Sequence, residues 1–309
     1  MAELVHLNNV ERAHNTVLTV GTFDGVHIGH KALIEAVVSK AKQRDARSLV
    51  VTFDPHPRNI INPGKEGIKL LTTLEERSEI MKIFGIDVLL VIPFDRDFSL
   101  LSSEEFIRKI IYEKIGVSEF VIGYDHHFGR DREGTIETIK QLGSELDFDS
   151  YVVSKKEMGH TTVSSTVIRN TLSEEGDVRK AAEFLGRDYI LNGMVAHGEE
   201  RGRKIGFPTA NIEPEHQHKV IPKNGVYAVH ARVDEQWYGG MMNIGVRPTF
   251  DGHKKTLEVH MFDFDQEIYG KKIQIRFRDR IRDEKKFEGV EALITQLKAD
   301  KQRSLEILS

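Results

Sequence analysis

Apolar residues in the first half of the chain fall into short continuous runs, with stretches of helical spacing between them. The runs 17–20, 49–53, 88–92, 120–122 and 151–153 read as strands, and the first four stop at Gly21, Asp54, Pro93 and Gly123. Runs of this length without polar alternation suit strands covered on both faces. Helices are expected over 29–44, after the capping box of Thr73 and Glu76, and after that of Ser102 and Glu105. The last of these carries Phe106, Ile107, Ile110, Ile111 and Ile115 at helical spacing. Strand and helix in alternation predict βαβ units, hence an α/β domain with a parallel sheet and helices on both faces.

Near residue 186 the period changes. One more helix, over 165–185, ends at Gly186. Beyond it come short strand-like segments, 189–195, 225–233, 237–244, 256–262 and 272–277, separated by Gly, Pro, Asn and Asp turns. No helical pattern lies between them, which predicts an all-β antiparallel barrel or sandwich. A terminal helix over 289–300 places Val290, Leu293, Ile294 and Leu297 on one face. The change of period divides the chain into domains of 1–186 and 187–309, in line with about two domains for 309 residues.

Composition narrows the function. A formal charge of −4 argues against a partner that is nucleic acid or an anionic membrane, and leaves room for local phosphate pockets. Cysteine is absent, so disulfides, thiolate metal sites and cysteine nucleophiles are excluded. No apolar run approaches the roughly 18 residues of a membrane span. Residues 1–9 lack the basic start and apolar core of a signal peptide. A cytoplasmic protein is expected, as a monomer or weak homo-oligomer.

The chemistry starts directly after the first predicted strand. Residues 21–30 read Gly-Thr-Phe-Asp-Gly-Val-His-Ile-Gly-His. In an open parallel sheet, ligands bind beyond the carboxyl ends of the strands. A turn there that holds Gly21, Phe23 and Gly29 and leads into a helix aims N–H groups and a positive dipole end at an anion. His27 and His30 can face one phosphate and donate to charge that develops as it is attacked. Neither G-x-x-x-x-G-K-[ST] nor G-x-G-x-x-G occurs, so the P-loop and the dinucleotide fingerprint are excluded. Residues 123–129, Gly-Tyr-Asp-His-His-Phe-Gly, follow the fourth strand to the same sheet edge. Residues 163–169, Val-Ser-Ser-Thr-Val-Ile-Arg, lead into the last helix of this domain. There Ser164, Ser165, Thr166 and Arg169 suit a triphosphate at a helix N-terminus. The plainer reading is an N-cap with a solvated arginine.

Together these segments carry a resemblance. His-x-Gly-His after a first strand, with a distal Ser-Ser-Thr-x-Ile-Arg, resembles the nucleotidylyltransferase superfamily and implies its Rossmann-like fold. With Gly-x-Phe-Asp-Gly-x-His-x-Gly-His and the Thr-Phe-Asp-Pro-His-Pro of 52–57, the set is similar to the FMN adenylyltransferase domain of the bacterial bifunctional riboflavin kinase/FAD synthetases. The resemblance implies that His27 and His30 contact ATP phosphates and that Ser165, Thr166 and Arg169 close on the triphosphate. It further implies that Asp125 and Phe128 meet the substrates, Phe128 on the flavin side. The family carries an aromatic residue after the position of Asp125, where this chain has His126. His56, between Pro55 and Pro57, is either a rigid turn residue or one that lines the flavin pocket.

A second constellation opens the β-rich half. Gly198, Gly202 and Gly206 are interleaved with Arg201, Arg203 and Lys204, which predicts a mobile cationic loop able to wrap a polyphosphate. Thr209 and Asn211 alternate on an extended segment, so both oxygens can face one side. Hard oxygen ligands of this kind suit Mg²⁺ carried in with ATP. Residues 257–262 alternate like a strand and place Glu258 and His260 on one face. A carboxylate fixed beside Mg–ATP is a candidate general base; a solvent-facing strand residue is the alternative. Arg-Gly-Arg-x-x-Gly-Phe-Pro-Thr-Ala-Asn, the Gly-Val-Tyr-Ala of 225–228, the Asn-Ile-Gly-Val-Arg-Pro-Thr-Phe of 243–250 and the Leu-Glu-Val-His of 257–260 are similar to riboflavin kinase. That resemblance implies a six-stranded antiparallel barrel with a C-terminal helix, Thr209 and Asn211 as Mg²⁺ and ATP residues, and Glu258 as the base.

The two resemblances cover nearly the whole chain. They imply a two-step enzyme that uses ATP to phosphorylate riboflavin to FMN, then adenylylates FMN to FAD with release of pyrophosphate. The rivals are a nucleotidylyltransferase with another acceptor and a flavin-binding regulator without turnover. Elsewhere, His216 and His218 lack a third ligand for a metal. Arg278, Arg280 and Arg282 read as a solvated face, and Trp237 as barrel packing.

Overall fold

The continuous apolar runs of the first half pair as parallel strands. The computed structural model describes residues 2–62, 67–124, 127–130, 133–154, 163–198, 201–249 and 252–309. Contacts divide the chain into two units, Met1–Ser165 and Thr166–Ser309.

The first unit runs β1 (Glu3–His6), β2 (Thr16–Val20), α1 (Ile28–Gln43), β3 (Arg47–Asp54), α2 (Pro57–Ile61), α3 (Leu74–Phe84), β4 (Val88–Pro93), α4 (Arg96–Ser99), α5 (Ser103–Glu105), a π-helical stretch Phe106–Ile115, β5 (Val117–Gly123), α6 (Ile136–Leu146) and β6 (Asp149–Val153). The sheet order is β1-β4-β3-β2-β5-β6, every pair parallel. The runs are continuous because both faces are covered. Val17, Val50, Leu89 and Val121 pack with Ile34 and Val37 of α1 and Met81 of α3. Their strand neighbours Leu18, Leu49, Leu90 and Phe120 pack with Ile107, Ile111 and Ile139 on the other face. Both predicted capping boxes form. β1 was not foreseen: it is a short edge strand that pairs with β4 alone among the described residues, and it lacks a continuous apolar run.

The second unit runs α7 (Ser165–Asn170, its first residue ending unit one), a π-helical turn Thr171–Glu175, α8 (Val178–Leu185), β7 (Tyr189–Ala196), β8 (Ala210–Pro214), β9 (Gly225–Val233), β10 (Gln236–Thr249), β11 (Gly252–Met261), β12 (Lys272–Arg282) and α9 (Val290–Leu308). The six strands close into an antiparallel barrel in the order β10-β11-β8-β7-β12-β9.

Four expectations are corrected here. The helix over 165–185 is broken at Gly176, which takes φ +74° beneath Arg280 and Tyr227; a Cβ there would lie 2.8 Å from Arg280 Nε. Asp177 then caps α8 by accepting from Lys180 N–H at 2.9 Å. The terminal helix continues past 300, because Asp300 is a buried mid-helix residue held by the Arg282 guanidinium, with Nη2–Oδ2 at 2.7 Å. The arginines of β12 are only in part a solvated face: Arg278 is exposed and pairs with Asp188, whereas Arg280, paired with Asp283, and Arg282, paired with Asp300, are half-buried. Trp237 is partly exposed and stacks under Arg276, whose guanidinium carbon lies 4.0 Å from the ring centroid.

Candidate active sites

Strand β2 lies between β3 and β5, so the order of the sheet reverses there. Ligands bind at such switch points, outside the carboxyl ends of the strands. Residues 21–27 leave β2 at this place, with Gly21 N–H donating to Val51 O at 3.0 Å. The turn is tight: Phe23 (φ +45°), Gly25 (+86°) and Val26 (+41°) all take left-handed backbone. For a bulky and a β-branched residue this costs on the order of 1–3 kcal/mol each, so the surroundings must hold it.

The holding group is Asp24, which is fully buried. Its carboxylate accepts from Leu71 N–H at 3.0 Å, Thr72 N–H at 3.0 Å and the Thr72 hydroxyl at 3.3 Å. Gly25 N–H donates to Thr72 Oγ1 at 3.0 Å. Arg77 of α3, also buried, lies 3.8 Å from Asp24 and donates to Thr52 Oγ1 at 2.7 Å. Thr52 in turn donates to Thr22 O at 2.9 Å. Burial pushes the Arg77 guanidinium below its ordinary value, and the Asp24 carboxylate opposes that. Sequence reasoning noted the Thr73–Glu76 capping box only as a helix start, and missed that Arg77, next along, reaches back under the turn.

The turn delivers His27 to the N-cap position of α1. Its ring stacks on that of His30, centroids 3.7 Å apart and 18° between planes. Phe23 meets His30 edge-on at 5.0 Å and is itself only 2% exposed. Gly29 separates the histidines because a Cβ there would lie 3.0 Å from His27 Nδ1. Ser165 Oγ donates to Asp24 O at 2.8 Å, which ties the last residue of the first unit to the turn. The first unit thus assembles Gly21, Phe23, His27, Gly29, His30 and Ser165, with Ser164 exposed beside the last. Thr166 and Arg169 follow on α7 in the second unit. Asp125 and His126 lie outside the described residues. His56 caps α2 just beyond the end of β3, its Nδ1 accepting from Arg58 N–H at 3.2 Å. Phe128 is 8% exposed and packs toward Phe106.

On the barrel, Asn211 of β8 stands opposite Glu258 of β11, and Glu258 opposite Asn243 of β10. Cross-strand partners share a face, so the three form a row. All three are half-buried, while Met242, Ile244, Leu257 and Val259 fill the opposite, fully buried face. A Cβ on Gly198 would overlap Asn211 Nδ2, and one on Gly202 would overlap Phe207 O and lie 3.5 Å from Thr209 Oγ1. The glycine loop therefore lies directly on Thr209 and Asn211. It includes a turn of 3-10 helix, Arg201–Ile205, closed by Phe207 N–H donating to Gly202 O at 2.9 Å. Arg203 and Lys204 are exposed on it; Glu199 and Glu200 lie outside the described residues. His260 Nδ1 bonds Pro208 O at 2.7 Å and straps this segment to β11. Two residues escaped the sequence reading as site residues, Asn243 and Glu284. Around the Cβ position of Gly245, Glu284 Oε1 lies at 2.5 Å and Asn243 Nδ2 at 3.3 Å, which sets a second carboxylate at the end of the row.

Mg²⁺ takes hard oxygen ligands and keeps phosphate and water oxygens as well. Thr209 and Asn211 offer such oxygens, Glu258 opposite adds negative charge, and glycine at 198 and 202 leaves a cradle that a Cβ would fill. The residues fit the ion. Among the described residues no group of three or more His, Cys, Asp or Glu could hold a metal.

Residues 9–167 match the FAD synthetase family and residues 185–308 match riboflavin kinase. A Listeria monocytogenes protein named bifunctional riboflavin kinase/FMN adenylyltransferase is 39% identical over 93% of this chain and 91% of its own. The Bacillus subtilis protein of that name is 38% identical over 98% of this chain and 96% of its own. The chain belongs to the bifunctional riboflavin kinase/FMN adenylyltransferase family. A solved structure from Streptococcus pneumoniae, described as a macrolide-efflux protein, has a TM-score of 0.87 and 31% identity, covering 97% of this chain and 98% of its own. In this chain no helix among the described residues is long and apolar enough to cross a membrane. The histidine pair of this family member lies in the segment that matches FAD synthetase, and the Asn211–Glu258 row in the segment that matches riboflavin kinase.

Proposed function

We propose that the two reactions of the family run at two separate sites, one on each constellation. The chain is a bifunctional enzyme of flavin cofactor biosynthesis, a riboflavin kinase and an FMN adenylyltransferase. The observation that carries the division is that the His27–His30 stack and the Asn211–Glu258 row belong to different units. We assign adenylyl transfer to 1–186 and phosphorylation to 187–309.

In the first step the riboflavin 5′-hydroxyl attacks the γ-phosphorus of ATP, the bond to ADP breaks, and Glu258 takes the hydroxyl proton. Gly202, Arg203 and Lys204 hold the polyphosphate. Thr209 and Asn211 would hold Mg²⁺, which supplies charge neutralisation at the phosphates. In the second step a phosphate oxygen of FMN attacks the α-phosphorus of ATP and pyrophosphate leaves. That nucleophile is already ionised near neutral pH, so no general base is required. His27, His30 and Arg169 neutralise the developing charge. Gly21, Phe23, Gly29, Asp125, Ser164, Ser165 and Thr166 border the nucleotide, Phe23 through its backbone and its packing on His30. His56 and Phe128 border the flavin. The protein works in the cytoplasm as a monomer or weak homo-oligomer.

The test is a time course with riboflavin, ATP and Mg²⁺, the flavins separated by chromatography. FMN followed by FAD is expected. FAD from added FMN, with no FMN from riboflavin, would remove the kinase assignment; FMN alone would remove the adenylyltransferase.

A further inference from the structure

We propose that Arg77 is a positioning residue for adenylyl transfer, acting through Asp24 and Thr52 on the turn that presents His27. The inference rests on the reading of the His27–His30 site given above.

Three observations carry it. First, the turn is held against its own preference, since Phe23 and Val26 are left-handed on either side of Asp24. Backbone of this kind persists only where its neighbours over-determine it. Second, Arg77 reaches those neighbours on both sides. Through Thr52 it is linked to Thr22 O, where the turn begins. Its Nη2 stands 3.8 Å from Asp24 Oδ1 and donates to Thr72 O at 3.3 Å, while its Nε approaches Thr72 Oγ1 at 3.4 Å. That same hydroxyl accepts from Gly25 N–H. Third, Arg77 is 3% exposed, beneath the turn, so it has no direct access to substrate. A planar guanidinium with five donors can serve Thr52, Thr72 and Asp24 together; a lysine ammonium cannot span all three.

The consequence is a geometric one. Val26 lies between Asp24 and His27, and the His27 ring sets that of His30. If the clasp loosens, the turn relaxes toward ordinary backbone and the stacked pair leaves its place over the phosphates. Misplacing reacting groups by about 1 Å can cost roughly 100-fold in rate.

The experiment uses the full-length chain with Arg77→Met, Arg77→Lys and His30→Ala, assayed for FAD from FMN and for FMN from riboflavin. Thermal unfolding is followed for each variant, and rates are taken where it is folded. For Arg77→Met, kcat for FAD formation is expected to fall about 10- to 100-fold with KM for ATP and FMN within about threefold. Arg77→Lys, which keeps the charge beside Asp24, is expected to recover part of that loss. Riboflavin phosphorylation stays at the parent rate in both. A folded Arg77→Met with parental kcat overturns the proposal, as does a variant whose only change is a lower unfolding midpoint. If Arg77→Met does not fold, Arg77→Lys decides: a parental kcat overturns the proposal and a reduced one supports it. His30→Ala tests the underlying reading separately. Undiminished FAD formation in that variant rejects the site itself, whatever Arg77 does.

Discussion

Glu258 and Asn211 stand directly opposite each other on β11 and β8, so the barrel's hydrogen-bond register, rather than any loop, sets a carboxylate beside a side-chain amide. Glu258→Gln keeps the shape and removes the carboxylate proposed to take the hydroxyl proton. Riboflavin phosphorylation is expected to fall by about 10²–10⁴, the usual share of a general base. FAD formation from supplied FMN should continue at the parent rate, and loss of both activities in folded protein would contradict separate sites.

The contact of Gly198 with Asn211 gives a sharper steric test. An alanine Cβ would overlap the Asn211 amide nitrogen, so the amide must leave the row. Gly198→Ala is expected to lower kcat/KM for the kinase by roughly tenfold or more. Gly289→Ala is the control, since no atom lies within 4 Å of its Cβ position. Steady-state kinetics with varied ATP would separate the two.

Asp300 anchors α9. It is 1% exposed and receives both Arg282 Nε and Nη2 as well as Gln296 Nε2. Asp300→Ala leaves a guanidinium with no carboxylate partner at that place. Because Arg282 is partly exposed, the cost falls at the low end for a broken buried pair, about 3 kcal/mol. Urea unfolding followed on the barrel should show the midpoint drop, with FAD formation from FMN intact below the transition.

Burial holds the His260 imidazole below its ordinary value of 6.5, with Lys301 adding to the effect and the bond to Pro208 opposing it. The unfolded chain therefore binds this proton more readily than the native one. Its contribution to stability is complete above about pH 6.5 and is lost as the pH falls from there toward the lower native value. His260→Gln retains a donor for Pro208 without titrating. Urea midpoints at about pH 7.5 and 5.5 should converge in the variant and differ more in the parent.

Much of this was legible in the chain itself. Period identified five of the six parallel strands, both capping boxes and the change to barrel strands, because burial on one or two faces imposes its own spacing on nearby residues. The histidine turn and the Thr209–Asn211 segment stood out because residue types that suit phosphate and a hard cation fall there within a few positions. β8 was seen only as an extended segment, since it pairs with β11 at just Asn211 and Ala210. The helix break at Gly176 depends on Arg280 and Tyr227, and the length of α9 on Arg282. No local pattern announces such partners.

The sequence by itself determined the fold class, the two kinds of chemistry and their order along the chain. Only the tertiary structure decided which residues stand together: Asn243 and Glu284 at the end of the Glu258 row, and Arg77 under the turn of Asp24. The reason is physical. Periodicity records whether a residue faces core or solvent, a property of one position and its near neighbours. Register and buried ion pairs join residues far apart in sequence, and their partners are fixed only when strands align and buried charges find opposite charges.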